Sequence, residues 1–502
     1  MANHLYDALL APHADSDRTF LILPGGERLS YRTFVTMAAR QAHALRRAGL
    51  MQGDRVALQL EKSPHMLALI MGAIQAGIVF LPLNTAYTPA EVGYFVANAG
   101  ARLLLVDPAQ EPGLGPVAQQ TGAKLRTLAV DGTGSFAAPA GDEPATFPTE
   151  ARGPGDLAAL LYTSGTTGRS KGAMLTHENL LSNAQVLTQE WRFTADDVLL
   201  HALPIFHTHG LFVATNVALV AGCPMFFLPK FEADQVLALL PQATAMMGVP
   251  TFYTRLLADP RLTRDLTARM RLFVSGSAPL LAETHRDWEA RTGHRVLERY
   301  GMTETNMNTS NPYEGERRAG TVGPPLPGVE VRVCDPSGRE LPRGEVGVIE
   351  VRGPNVFKGY WQMPEKTREE LRDDGFFITG DLGVMGADGY VTIVGRAKDL
   401  VISGGFNVYP KEVEEVIDSL PGILESAVIG VPHPDFGEAV VAVVVSRAGA
   451  MVQPAAIRTA LAGQLAKFKQ PKHIEVRAEL PRNTMGKVQK NVLRDELKRL
   501  FA

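Results

Sequence analysis

The sequence predicts an α/β protein with a large N-terminal domain of parallel sheets flanked by helices. That domain carries a small β-rich subdomain and is followed by an α+β C-terminal domain. Three observations lead there. At 502 residues the chain exceeds what one compact core accommodates and suits a large domain joined to a smaller one. Short β-rich runs alternate with helix-like ones through about residue 300, the pattern of parallel sheets covered by helices. The period then changes twice. Taken in order, 55–60 reads as a strand and 64–76 as a helix, and 103–106, 157–162, 198–203 and 272–275 as further strands. The Pro- and Gly-rich stretch 132–155 reads as a surface connection. From 329 to 352 strands of period two are broken by the turn signals Asp335-Pro336-Ser337-Gly338 and Pro342-Arg343-Gly344. A last strand is expected over 390–395. A helix over 411–419, strands over 426–431 and 439–445 and a helix over 455–465 then form a unit of about one hundred residues, a common domain size. The expected domains are 1–397 and 398–502.

Composition narrows the function classes. Hydrophobic residues make up 45% and charged residues 21%, and the formal charge of −3 leaves no broad basic surface for nucleic acid. Any anionic ligand must be met locally. The most apolar windows, 211–228 and 439–445, are interrupted by Asn216, Gly222 and Pro224 or are too short to span a bilayer, so they read as core and no membrane is implied. The first residues carry His4, Asp7 and Asp15 where a secretory signal needs a basic start and an apolar stretch, so a cytoplasmic protein is expected. Cys223 and Cys334 have neither disulfide nor metal-ligand spacing and are expected to be buried thiols.

The segment 162–174, YTSGTTGRSKGAM, is the most informative in the chain. Gly165, Gly168 and Gly172 permit tight turns that point backbone N–H groups inward. Thr163, Ser164, Thr166, Thr167 and Ser170 supply hydroxyls, Arg169 and Lys171 supply charge, and the whole suits phosphate. It departs from the common P-loop, in which Gly-Lys runs straight into Ser or Thr at a helix start. It resembles the phosphate-binding loop of the adenylate-forming acyl-CoA synthetases, which implies ATP with Mg²⁺, CoA and an activated carboxylate.

Four further segments match that family in order and spacing. In Tyr300-Gly301-Met302-Thr303-Glu304-Thr305 a carboxylate stands beside two hydroxyls. Glu304, with Thr167 of the loop, is expected on Mg²⁺, Thr303 on phosphate oxygens, and Tyr300 on the adenine face. In Thr379-Gly380-Asp381-Leu382-Gly383 the aspartate, placed at a strand end, can accept both ribose hydroxyls. The resemblance implies that Arg396 binds nucleotide, that the C-terminal domain is mobile with Lys398 as the hinge, and that Ser403, Gly404 and Gly405 border the tunnel of the CoA thiol. It also places Lys487, in Pro481-Arg482-Asn483-Thr484-Met485-Gly486-Lys487, in the active site. There a cation offsets repulsion between a carboxylate and the α-phosphate.

Within the superfamily, the segments 203–211, 248–255, 275–280 and 298–309 look like those of the malonyl-CoA synthetases of the malonate-utilisation type. The likeness implies that Ser277, Ala278 and Pro279 join Tyr300, Gly301 and Met302 around the nucleotide. It implies malonyl-CoA, AMP and pyrophosphate as products of malonate, CoA and ATP. The acyl-pocket segments support a short diacid, because His207, His209, Thr251, Arg255, Ser275 and Ser277 form a polar set rather than an apolar tunnel. A buried second carboxylate needs a partner, and the arginine fork suits it. Arg255 is the first choice, Arg286 the second, and the histidines follow. Methylmalonate, another short acid, a carrier protein as acceptor, or a nucleotide sensor without catalysis stay open as alternatives. The sequence does not fix oligomeric state.

Overall fold

The computed structural model describes residues 2–136, 143–163, 170–403, 406–462, 464–483 and 486–501. Two large sheets organise the N-terminal part. One has six strands in the order Lys124–Thr127, Leu103–Val106, Arg55–Gln59, Val79–Pro82, Leu157–Thr163 and Lys171–Thr176, parallel except for the last pair. The other has eight, with Leu297–Met302, Leu272–Ser275, Ala245–Gly248, Leu199–His201, Met225–Phe227 and Thr19–Ile22 parallel in that order and antiparallel strands at both ends. Inner strands such as Leu103–Val106, Val79–Pro82 and Leu272–Ser275 are buried throughout, as expected where helices cover both faces. The helix Pro64–Gln75 lies almost wholly inside the core, its first turn capped by Ser63, which accepts from the Met66 N–H. It packs against Tyr31–Arg47 at Gly72, where a Cβ would lie 2.5 Å from the Ala38 carbonyl oxygen, so only glycine allows this approach.

The β-rich subdomain is a four-stranded antiparallel sheet, Glu330–Cys334, Gly347–Arg352, Phe377–Met385 and Val391–Arg396. Two sequence expectations shift here. The last strand ends on Arg396 rather than Gly395. Asp381 sits in the middle of Phe377–Met385 rather than at its end. Gly380 has φ +71°, and the register slips between Leu382 and Gly383, so the glycines that looked like a turn mark a bulge within a strand.

After the short turn Ala397–Asp399 the chain enters another sheet, in which Val401–Ser403, Phe406–Val408, Gly437–Ser446, Ile423–His433 and His473–Arg477 pair. Helices Pro410–Asp418 and Pro454–Ala462 cover one face through Val413, Ile417, Ile457 and Leu461. Lys490–Leu497 covers the other through Leu493. The window 211–228 is buried as expected, but it opens with a π-helical turn, His209–Thr215, before the α-helix Asn216–Ala221. Among the described residues no helix is long and apolar enough to cross a membrane.

Candidate active site

The site lies where ligands are met in open α/β sheets, beyond the carboxyl ends of parallel strands. Four strands of the eight-stranded sheet deliver it. Leu199–His201 leads to His207 and His209, Ala245–Gly248 to Thr251, Leu272–Ser275 to Ser277, and Leu297–Met302 holds Arg299 and Tyr300. The Glu304 carboxylate, in the turn after that last strand, is buried, with Oε1 3.2 Å from Thr163 Oγ1 and 3.1 Å from the Tyr360 hydroxyl. Burial raises its pKa against the hydroxyls and the Lys171 charge, which lower it. A desolvated carboxylate that accepts from neutral hydroxyls suits a divalent cation. Among the described residues no group of three or more His, Cys, Asp or Glu could hold a metal by itself. The arrangement fits Mg²⁺, which takes few protein carboxylates and completes its shell with phosphates and water.

The charge that Lys171 brings to the loop has partners inside the protein. The side chain is buried, its Nζ 2.9 Å from the Tyr360 hydroxyl and 3.0 Å from Glu370 Oε2, so its charge is matched inside the protein. Tyr360 lies 2.6 Å from the same Glu370 oxygen and links this pair to Glu304. Sequence reading passed over both residues, because neither lies in a segment of recognisable motif. The Tyr94 hydroxyl donates to the Ser170 carbonyl at 2.8 Å. Ser164, Gly165, Thr166, Thr167, Gly168 and Arg169, and likewise Gly404 and Gly405, lie outside the described residues.

On the nucleotide side the Tyr300 hydroxyl donates to Asp381 Oδ2 at 2.6 Å, and Arg396 Nε reaches Asp381 Oδ1 at 3.2 Å. Both Asp381 oxygens are therefore engaged, and ribose hydroxyls would share them through remaining lone pairs. Gly301 follows a register irregularity in Leu297–Met302, and a Cβ there would lie 1.8 Å from the Asn306 oxygen. Thr303 follows that strand directly. Ser277 has φ +70°, the left-handed region that favours glycine, and its Oγ lies 3.2 Å from His209 Nδ1. Such strain, about 1–3 kcal/mol, concentrates at functional sites. Ala278 is half-buried beside it and Pro279 exposed. Lys398 is exposed in the turn Ala397–Asp399, and Ser403 is buried at the end of Val401–Ser403. Lys487 comes close enough to these groups that its pKa falls to about 8, through burial first and then the Arg396 charge.

The structure separates the arginines by burial. Arg255 is exposed on the helix Pro250–Leu257, on the rim of a cavity of about 290 Å³ that it shares with Thr251, Arg482 and Gly486. Arg286 is exposed on Ala282–Thr292. The buried arginine is Arg299. It is 4% exposed, and its Nε and Nη2 find no hydrogen-bond partner among the described residues. No described carboxylate forms an ion pair with it, since its neighbour Glu298 engages His285 at 3.3 Å. Burial lowers its pKa to about 9, so it is cationic at neutral pH. Gly276 makes room for it, a Cβ there falling 2.3 Å from Arg299 Cζ. His207 and His209 lie close enough for its charge to act with burial on both. His207 falls to about 4 and both imidazoles are neutral, so the cation here is the guanidinium. His209 Nε2, Ser275 Oγ and Thr208 Oγ1 are also buried without a described partner. The signal that could have found Arg299 is a charged residue inside a strand whose neighbours are buried on both faces.

Two family models match the chain, the AMP-binding enzyme over residues 11–361 and the AMP-binding enzyme C-terminal domain over 412–487. The chain is an AMP-binding enzyme. Among solved structures, ATP-bound MatB from Rhodopseudomonas palustris is 58% identical to it with both chains covered in full and a TM-score of 0.98. Apo MatB, at the same identity and coverage, gives 0.86, so the arrangement described here follows the ATP-bound form. The sulfoacetate–CoA ligase of Cupriavidus necator is 37% identical over 96% of each chain. The malonate–CoA ligase of Arabidopsis thaliana is 35% identical over 89% of this chain and 79% of its own. In this AMP-binding enzyme Cys223 and Cys334 are buried as expected, and burial raises their pKa values to about 12 and about 11, away from nucleophilic use.

Proposed function

We propose that this AMP-binding enzyme joins malonate to CoA through malonyl-AMP, releasing pyrophosphate and then AMP, in the cytoplasm. The observation that carries the substrate is Arg299. A buried guanidinium with unpaired donors and no carboxylate against it demands an anion, and the terminal carboxylate of a short diacid supplies one. The malonate–CoA ligase relative and MatB agree with that choice. A second reading has its own support: a sulfonate satisfies the same guanidinium, and a sulfoacetate–CoA ligase is among the relatives. Methylmalonate differs from malonate by one methyl group, worth about 1–3 kcal/mol in a pocket. Following AMP release with malonate, methylmalonate, sulfoacetate, acetate and propionate tests the proposal. Acetate turned over as well as malonate would sink it.

In the first half-reaction the free carboxylate attacks the α-phosphorus of ATP while the other rests on Arg299. Lys487 lies between the two reacting anions and offsets their repulsion. The segment 163–171 holds the departing pyrophosphate, and Asp381 and Arg396 hold the nucleoside. Glu304 would hold Mg²⁺, which when bound supplies charge neutralisation to the phosphates. In the second half-reaction the unit 398–502 turns about Lys398, withdraws Lys487, and brings the loop at Ser403 to the site. The thiol of CoA then attacks the acyl carbon and the bond to AMP breaks.

Two expectations follow from this placement. Gly276→Ala drives a methyl group into Arg299, and overpacking of this kind costs about 1–3 kcal/mol. KM for malonate should rise while KM for ATP holds, which steady-state kinetics reads directly. Lys487 acts as a cation, so kcat/KM for pyrophosphate release, which reports the free enzyme, should fall as pH rises through about 8. Lys487→Arg, which keeps its proton throughout, should be slower and lose that alkaline limb. An unchanged limb would assign the titration to another group.

A further inference from the structure

We propose that Arg482 and Glu425 act as positioning residues for Lys487, a buttress that presents its ammonium to the site. Lys487 stands at the end of a narrow hairpin. Arg482 and Val488 pair across it as an antiparallel bridge, and the Asn483 N–H donates to the Lys487 carbonyl at 2.9 Å. The Gly486 N–H donates to the Asn483 carbonyl at 2.9 Å, and the Lys487 N–H donates to Asn483 Oδ1 at 2.9 Å. These bonds shape the hairpin, and Val488 packs on the apolar face of the sheet beside it. Arg482 supplies the polar link. Its Nη1 donates to the Gly486 carbonyl at 2.5 Å, and its Nη2 pairs with Glu425 on the strand Ile423–His433. One rigid fork thus ties the residue before the lysine to the sheet of its own domain, a task for which an ammonium lacks the geometry. Gly486 has φ +74° and presses toward Thr251 of the acyl pocket, its missing Cβ falling 3.4 Å from Thr251 Oγ1. A hairpin free to sag would move the cation off the line between its two anions. Arg482 touches no reacting atom in this account, so its contribution is alignment.

This inference rests on the role given to Lys487, and Lys487→Ala is therefore measured beside it. In single-turnover assays Arg482→Ala and Glu425→Gln should each slow malonyl-AMP formation by about 10- to 100-fold, as a displacement of about 1 Å can do. Thioester formation from supplied malonyl-AMP should change less than about 2-fold, because that step does not use the cation. The loss should fall on kcat with KM for ATP held, KM for malonate should hold as well in Glu425→Gln, which does not line the acyl cavity, and Arg482→Lys should recover only part of the loss. Equal slowing of both half-reactions would make the pair merely structural and overturn the inference. Normal adenylation in Arg482→Ala while Lys487→Ala is inactive would overturn it too. If Lys487→Ala itself adenylates normally, the reading beneath the inference is wrong and both fall.

Discussion

Arg299→Met should cost malonate on the order of 10³-fold in kcat/KM, because breaking a buried charge pair leaves an unpartnered carboxylate worth about 3–5 kcal/mol. The substitution fills nearly the same volume and removes a cation that has no described carboxylate partner, so the fold itself should be preserved or stabilised. Acetate and propionate, which have no second anion, should lose little or gain, and the malonate-to-acetate ratio should collapse. Competition assays with the two acids and AMP release as readout check it. Arg255→Ala is the informative comparison. Arg255 is exposed on the rim, so its loss should leave that ratio close to the parent value. A collapse there instead would return the distal carboxylate to the rim.

Lys487→Ala should reduce malonyl-AMP formation by about 10²–10³-fold, the usual effect of removing a positioned charge from a developing transition state. Conversion of supplied malonyl-AMP to the thioester should proceed near the parent rate. The two half-reactions are separable by pyrophosphate release and by thiol consumption. The structure explains why the effect should be confined to one of them. Lys487 is drawn into an environment that already holds Arg396, Asp381 and His207, where burial lowers its pKa. That placement is useful only while two anions approach, and once the acyl-AMP has formed the cation is no longer required.

How much of this was legible in the sequence depended on whether the signal was local. Alternating strand and helix patterns located the sheets, and the segments around Glu304, Asp381, Arg396 and Lys487 stand in readable order because each carries its chemistry within a few residues. Glycine misled in one place. Gly380 and Gly383 looked like the end of a strand, yet hydrogen bonding to both neighbours continues through a bulge there. The partners of Lys171 were invisible because Glu370 lies about two hundred positions away and enters through a helix without a motif. The arginines near the acyl pocket differ in a way that sequence does not show, for a related reason. The principle that a distal carboxylate needs an arginine was sound, but the choice between arginines depends on burial, which comes from packing. Arg255 lies in a suggestive segment and is exposed, whereas Arg299, inside the segment 298–309, is buried. The π-helical turn at His209 has no sequence signature available from a single chain.

Gly276 directly follows the strand Leu272–Ser275 and Arg299 lies in its neighbour Leu297–Met302, with the guanidinium filling the space that a larger residue at 276 would take. This imposes an order on evolutionary change. A descendant could abandon diacids in one step by replacing the arginine with an apolar residue, and the glycine would tolerate it. An ancestor with alanine or serine at 276 would adopt the arginine at a cost, since the incoming guanidinium would have to shift out of the space that residue takes. The route into anion selectivity therefore runs most easily through a glycine with no immediate advantage, while the route out is open at any time. Substrate range in such a lineage should be easier to lose than to regain.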